Sequence, residues 1–116
     1  MVAIGQMGYA SGLLSNTTSE NTTILAPSGT EQYIILSIMG YLENPFTTGS
    51  TICSITINDS VSGADVNISG YQTNIPYLTT YNVNQIMKLY LDSNASLVLN
   101  VNNGNGAVYV TYLRIA

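Results

Sequence analysis

The chain has no histidine, no tryptophan, a single cysteine and only two cations, Lys88 and Arg114. Each shortage excludes something. Without histidine there is no Ser-His or Cys-His dyad and no imidazole metal site. One cysteine forbids an intrachain disulfide. Cys53 lies in the alternating stretch ICSIT and is expected to be a small buried hydrophobe. Two cations against six acids leave too little positive charge to neutralise phosphates, so neither nucleic acid nor an anionic membrane surface is an expected partner. No run of about 20 apolar residues exists that could cross a bilayer as a helix. The opening MVAIGQMGYASGLLSNTT has no basic n-region, and glycines interrupt its apolar residues. A secretory signal is therefore not expected, and synthesis in a cytoplasm is.

Charge of either sign is scarce. Asp, Glu, Lys and Arg make up 7% of the 116 residues, against about 25% in an ordinary soluble domain. The apolar share is an ordinary 46%, so polarity rests on 13 Asn, 13 Thr and 12 Ser, with 9 Tyr beside them. A monomer usually keeps its surface soluble with mixed charges. A surface covered by neighbouring subunits does not need them, because interface cores are poor in charge and rich in Tyr and Met. The other reading is that Asn, Ser and Thr suffice for a soluble monomer.

Alternation with a period of two recurs along the chain, and helical spacing does not. Strands are expected at 22–26, 32–42, 51–58, 65–73, 85–92, 96–102 and 107–116. Pro27 and Gly29 turn the chain before the second of these, and Pro45 ends it. Cys53, Ile55 and Ile57 should share a face, as should Leu97, Leu99 and Val101, and Val108, Val110 and Tyr112. NNGNG, 102–106, reads as a hairpin turn, since Asn and Gly tolerate positive φ. Seven or eight short strands at this spacing suggest an all-β, single antiparallel β-sandwich, jelly-roll or immunoglobulin-like. Residues 1–21 form an extended N-terminal arm or a short first strand, and residues 22–116 the sandwich domain. In the arm, Val2, Ile4, Met7, Leu13 and Leu14 are expected to order on a neighbouring subunit.

The most apolar stretch is YIILSIMGYL, 33–42. Strict alternation puts Ile34, Leu36, Ile38, Gly40 and Leu42 towards the core. It puts Tyr33, Ile35, Met39 and Tyr41 on the other face. That second face is too apolar for water, so those four residues are subunit-interface candidates.

Candidate chemistry is thin. Asp59 and Asp65 flank one turn and could act as a carboxylate pair, although Asp suits turns for its own backbone hydrogen bonds. With Asn58 and Asn67 they also form an oxygen-rich group, but not at EF-hand spacing. Neither reading is preferred, so no catalytic residue, metal or cofactor is expected. Five Asn-x-Ser/Thr sequons, at Asn16, Asn21, Asn58, Asn67 and Asn94, are about what a chain so rich in Asn, Ser and Thr carries by chance. Tyr71, Asn74, Tyr77, Tyr81 and Asn82 crowd a Tyr- and Asn-rich connection. A tyrosine ring offers a sugar both an apolar face and a polar tip. Glycan binding through these five is the alternative to their filling an interface.

The run TILAPSGTEQYIILSIMGYLEN, then TICSITIN, then IMKLYLDSNASLVLNVNNGNGAVYVTYLRIA, resembles small β-sandwich virion proteins of tailed bacteriophages, over about residues 22–116. The resemblance implies a structural protein without enzymatic activity. Such proteins are head decoration, cement or tail accessory subunits, often homotrimers seated on a major capsid or tail protein. It carries over no functional residue. The expectation is a non-enzymatic capsid decoration or cement protein, located in the virion after synthesis in the host cytoplasm. The alternative is a carbohydrate- or receptor-binding module of a tail or fibre.

Overall fold

The computed structural model describes residues 2–46, 50–59, 65–67, 73–76 and 78–116. The described chain is all-β and antiparallel throughout. Its strands are β1 (Met7–Leu25), β2 (Tyr33–Asn44), β3 (Ser50–Asp59), β4 (Asp65–Asn67), β5 (Thr73–Pro76), β6 (Thr79–Leu91) and β7 (Ala95–Arg114). The sheet runs β4-β3-β7-β2-β6, with β1 on the other edge of β7 and β5 on β3.

Two strands are far longer than the sequence suggests. A straight strand of 20 residues would reach about 65 Å, yet the longest dimension of the molecule is 46 Å. β7 therefore bends. Its C-terminal half pairs with β2, from Asn105↔Glu43 to Arg114↔Tyr33. Its N-terminal half pairs with β3, from Ala95↔Asp59 to Asn102↔Ile52. β1 follows β7 from end to end and bends with it, through a register shift between Leu14 and Thr17. One sheet thus folds into two layers that share β1 and β7. The first holds the front of β1, the back of β7, β2 and β6. The second holds the back of β1, the front of β7, β3, β4 and β5.

NNGNG is accordingly no hairpin turn. It is the bend of β7, with Asn103 at φ 64°. A hairpin would lay 96–102 against 107–116, but both pair with β1 instead. Gly106 serves close packing at the bend. A Cβ on Gly106 would meet Val101, Leu42 and Leu99 at 3.0–3.4 Å. The bend also switches which alternate residues face inward. Leu97, Leu99 and Val101 are buried before it, and Val108, Val110 and Tyr112 after it.

β2 makes the same switch by another device. Leu36 is skipped in the ladders to both β6 and β7, so Ile35 is followed directly by Ser37. A bulge of one residue reverses the facing of every later side chain. Tyr33 and Ile35 therefore point into the core together with Ile38 and Leu42. The strict alternation expected from sequence fails here, and Tyr33 and Ile35 are core residues, not interface candidates.

The N-terminal stretch is not an arm reaching away. Residues 7–25 are strand β1, which runs unbroken past residue 21. Before it, Gly5 N–H donates to the Arg114 carbonyl at 2.7 Å, and Arg114 Nη1 donates to the Val2 carbonyl at 2.9 Å. Val2 packs against the protein's own core, and Leu14 lies within it. Neither is free for a neighbour. The start of β6 is corrected too, because Thr79–Gln85 belong to the strand rather than to a loose connection. Of that connection, Tyr71 and Tyr77 lie outside the described residues, as does the turn at 60–64.

Candidate assembly face

The two layers differ on their outer sides. In the second layer the outward rungs carry small polar groups. Asn21 pairs with Asn100, which pairs with Ser54, and the amide of Asn100 donates to Ser54 Oγ and Thr56 Oγ1, both at 3.2 Å. Such a face is well suited to water.

The first layer is built from the same strands, β1 and β7, yet its outer side is apolar. β1 contributes Met7, Tyr9 and Leu13, and β7 contributes Tyr109. β2 adds Met39 and Tyr41, while β6 adds Ile86 and Tyr90. All eight are exposed, from 36% for Tyr41 to 79% for Tyr9 and 87% for Ile86. The registers place them on adjoining rungs, so they form one continuous patch. Scattered exposed apolar residues need no explanation, but a contiguous set of this size does. Within the four segments concerned, 7–13, 34–41, 82–90 and 107–113, the sole charged residue is Lys88.

Of the expected interface residues, Met7, Leu13, Met39 and Tyr41 stand on this face. Ile4 is exposed beyond its end, in the turn where Gln6 N–H donates to the Ala3 carbonyl at 3.0 Å. Tyr9, Tyr109, Ile86 and Tyr90 were not among the sequence candidates. The signal for Tyr109 was present, since it alternates with buried Val108 and Val110. Ile86 gives no such signal, because a lone strand does not say which alternate residues point outward.

Enzymatic and ligand-binding readings gain little from the geometry. Asp59 and Asp65 sit on the paired strands β3 and β4, where Asn58 faces Asp65. Among the described residues no group of three or more His, Cys, Asp or Glu could hold a metal ion. Three recesses between described residues are open and hold about 250–290 Å³ each, a little below the roughly 300–1,000 Å³ of typical ligand clefts. Tyr81 and Asn82 are consecutive in β6 and so point to opposite sides. Asn82 stands beside Tyr41 on the apolar face. Asn74 lies on β5, opposite Ile52.

The perturbed titrating groups are structural. Burial pushes the Cys53 thiol up to about 11, so it is a neutral core group as expected. Burial, followed by its hydrogen bond to Glu31, pushes Tyr33 up to about 12. That hydroxyl donates to Glu31 Oε2, and Ser28 Oγ donates to Oε1 at 2.8 Å. These two bonds hold the Glu31 carboxyl below its usual range. Buried Asn44 ties the layers together: its amide donates to the Ile75 carbonyl at 3.0 Å and its carbonyl accepts from Phe46 N–H at 3.0 Å.

The chain matches no protein-family model and no curated protein.

Proposed function

We propose that this protein is a non-enzymatic structural subunit of a phage particle, a capsid decoration or cement protein that works by packing against neighbouring subunits. The observation that carries the reading is the contrast between the two outer faces. The same two strands present Ser, Asn and Thr on one side and Met, Tyr and Leu on the other. A protein that met only water would have no use for the second face. Low charge and the absence of histidine from the chain support a structural role over a catalytic one.

The test is quantitative peptide mass spectrometry of density-purified particles from cells producing the chain. The expected result is a fixed stoichiometry to the major capsid or tail protein, retained through purification. Loss of the chain from particles on purification would overturn the reading.

A further inference from the structure

The two central rungs of the apolar face show a pattern of large and small side chains. Across β1, β7, β2 and β6, one rung reads Tyr9, Thr111, Ser37, Ile86. The next reads Ser11, Tyr109, Met39, Asn84. On every strand, a large side chain in one rung stands next to a smaller one in the other. Between them, Tyr9, Ser11, Tyr109 and Thr111 line an open recess of about 250 Å³.

This pattern has a symmetry. Consider a two-fold axis parallel to the rungs and midway between them, lying just above the face. It places the first rung of one copy over the second rung of another, strand over strand. Tyr9 then meets the partner's Ser11, and Tyr109 meets the partner's Thr111. Likewise Met39 meets the partner's Ser37, and Ile86 meets the partner's Asn84. All four columns set a large group against a smaller one, as interdigitating sheet faces about 10 Å apart require. In the next rungs out β7 and β6 follow suit, with Leu113 against the partner's Ala107 and Tyr90 against the partner's Asn82, while on β1 and β2 apolar groups meet at the rim, Met7 against the partner's Leu13 and Ile34 against the partner's Tyr41.

We infer that this face packs against the same face of a second copy of this chain, related by that two-fold axis. Area supports this occupant. Taking ~200 Å² for a fully exposed large side chain, the eight leave roughly 900 Å² to solvent. A standard stable interface buries about 800 Å² on each partner. Charge supports it as well. Two identical faces repel unless they are close to neutral, and here Lys88 lies on β6, the strand at the edge of the layer, and Glu43, of opposite sign, stands one rung beyond Tyr41. The inference rests on the assembly role proposed above and names the partner. It replaces the three-fold arrangement that the resemblance implies with a two-fold one.

The experiment is sedimentation equilibrium on the purified full chain and on three variants whose folding is checked by thermal unfolding. The wild type should have twice the 12.4 kDa mass of the chain. Ser11→Tyr sets tyrosine against the partner's Tyr9 and should raise the dissociation constant at least ~10-fold, about 1.4 kcal/mol. Thr111→Tyr should do the same against the partner's Tyr109. The swap Y9S/S11Y exchanges large and small and should return the dissociation constant to within a few-fold of wild type. A monomer at the highest soluble concentration, a mass of three chains, a dimer indifferent to Ser11→Tyr, or a swap that fails to restore association would each overturn the inference. A monomeric chain that still co-purifies with particles would sink this inference and leave the structural role standing. A dimer missing from particles would do the reverse.

Discussion

Gly12 and Ile24 belong to one strand, yet the position a Gly12 Cβ would occupy is 2.9 Å from Ile24 Cγ1. In a straight strand, residues twelve apart would be separated by about 40 Å. The contact exists because β1 crosses from one layer to the other and closes over the core. Gly12 is the point where the two halves touch.

Filling that point should therefore loosen the whole fold. Gly12→Ala must displace Ile24, and Gly12→Val must displace Thr22 as well, whose Cγ2 is 3.1 Å away. The expected losses are about 1–2 kcal/mol for alanine and about 3 kcal/mol for valine. Urea unfolding measures both. Equal stability in all three proteins would mean that the layers do not meet there.

Gly40→Ala should be worse. A Cβ on Gly40 would stand 1.9 Å from the Ala107 carbonyl oxygen, and the residue holds φ at 152°. Backbone cannot swing aside as a side chain can, so the β2–β7 ladder must open. A loss of about 3–5 kcal/mol is expected in the same measurement.

Asn44 offers a polar test of layer docking. Asn44→Ala strands the Ile75 carbonyl and the Phe46 N–H. Leaving such groups buried costs about 1–3 kcal/mol. Asn44→Asp should also destabilise at neutral pH, because a buried carboxylate would face the Ile75 carbonyl. Unlike the alanine variant, it should recover stability as the pH falls and the carboxyl takes up a proton.

Alkaline stability has a defined window. The folded protein holds the Cys53 proton to about pH 11, where an ordinary exposed thiol loses it at 9.0. It holds the Tyr33 proton to about pH 12, against 10.0. In both cases the unfolded chain releases its proton first. Stability is thus complete below pH 9 and falls as pH rises from 9 to 12. At the acid end the sign reverses. The lowered Glu31 carboxyl contributes stability above its ordinary value of 4.5 that is lost as pH falls through its folded pKa. Cys53→Ala should remove the part of the alkaline loss between pH 9 and 11, on the order of 2 kcal/mol. Melting temperatures at stepped pH read the difference, and a Cys53→Ala profile superimposable on wild type would contradict it.

The strand pattern was legible because alternation is local. Cys53 and Ile55, Leu97 and Leu99, Val108 and Val110 all face the core as their spacing suggests. Errors arose wherever one residue changed the phase. Leu36 looks like any other member of YIILSIMGYL, yet skipping it in the ladder sends Tyr33 and Ile35 inward and leaves Met39 and Tyr41 outward. Asn103 in NNGNG does take positive φ, but that conformation serves equally for a hairpin and for a bend. Only β1, running beside β7 on both sides of the bend, decides between them.

The sequence by itself determined the class of fold and the kind of surface: alternation without helical spacing, few charges, and no histidine for chemistry. Those properties are set residue by residue. The tertiary structure decided which side chains share a face. Tyr9, Tyr109, Met39 and Ile86 come from four strands far apart in the chain, and ladder register alone brings them to adjoining rungs. Register is set by bulges and by packing across the sheet. A single chain read end to end does not contain it.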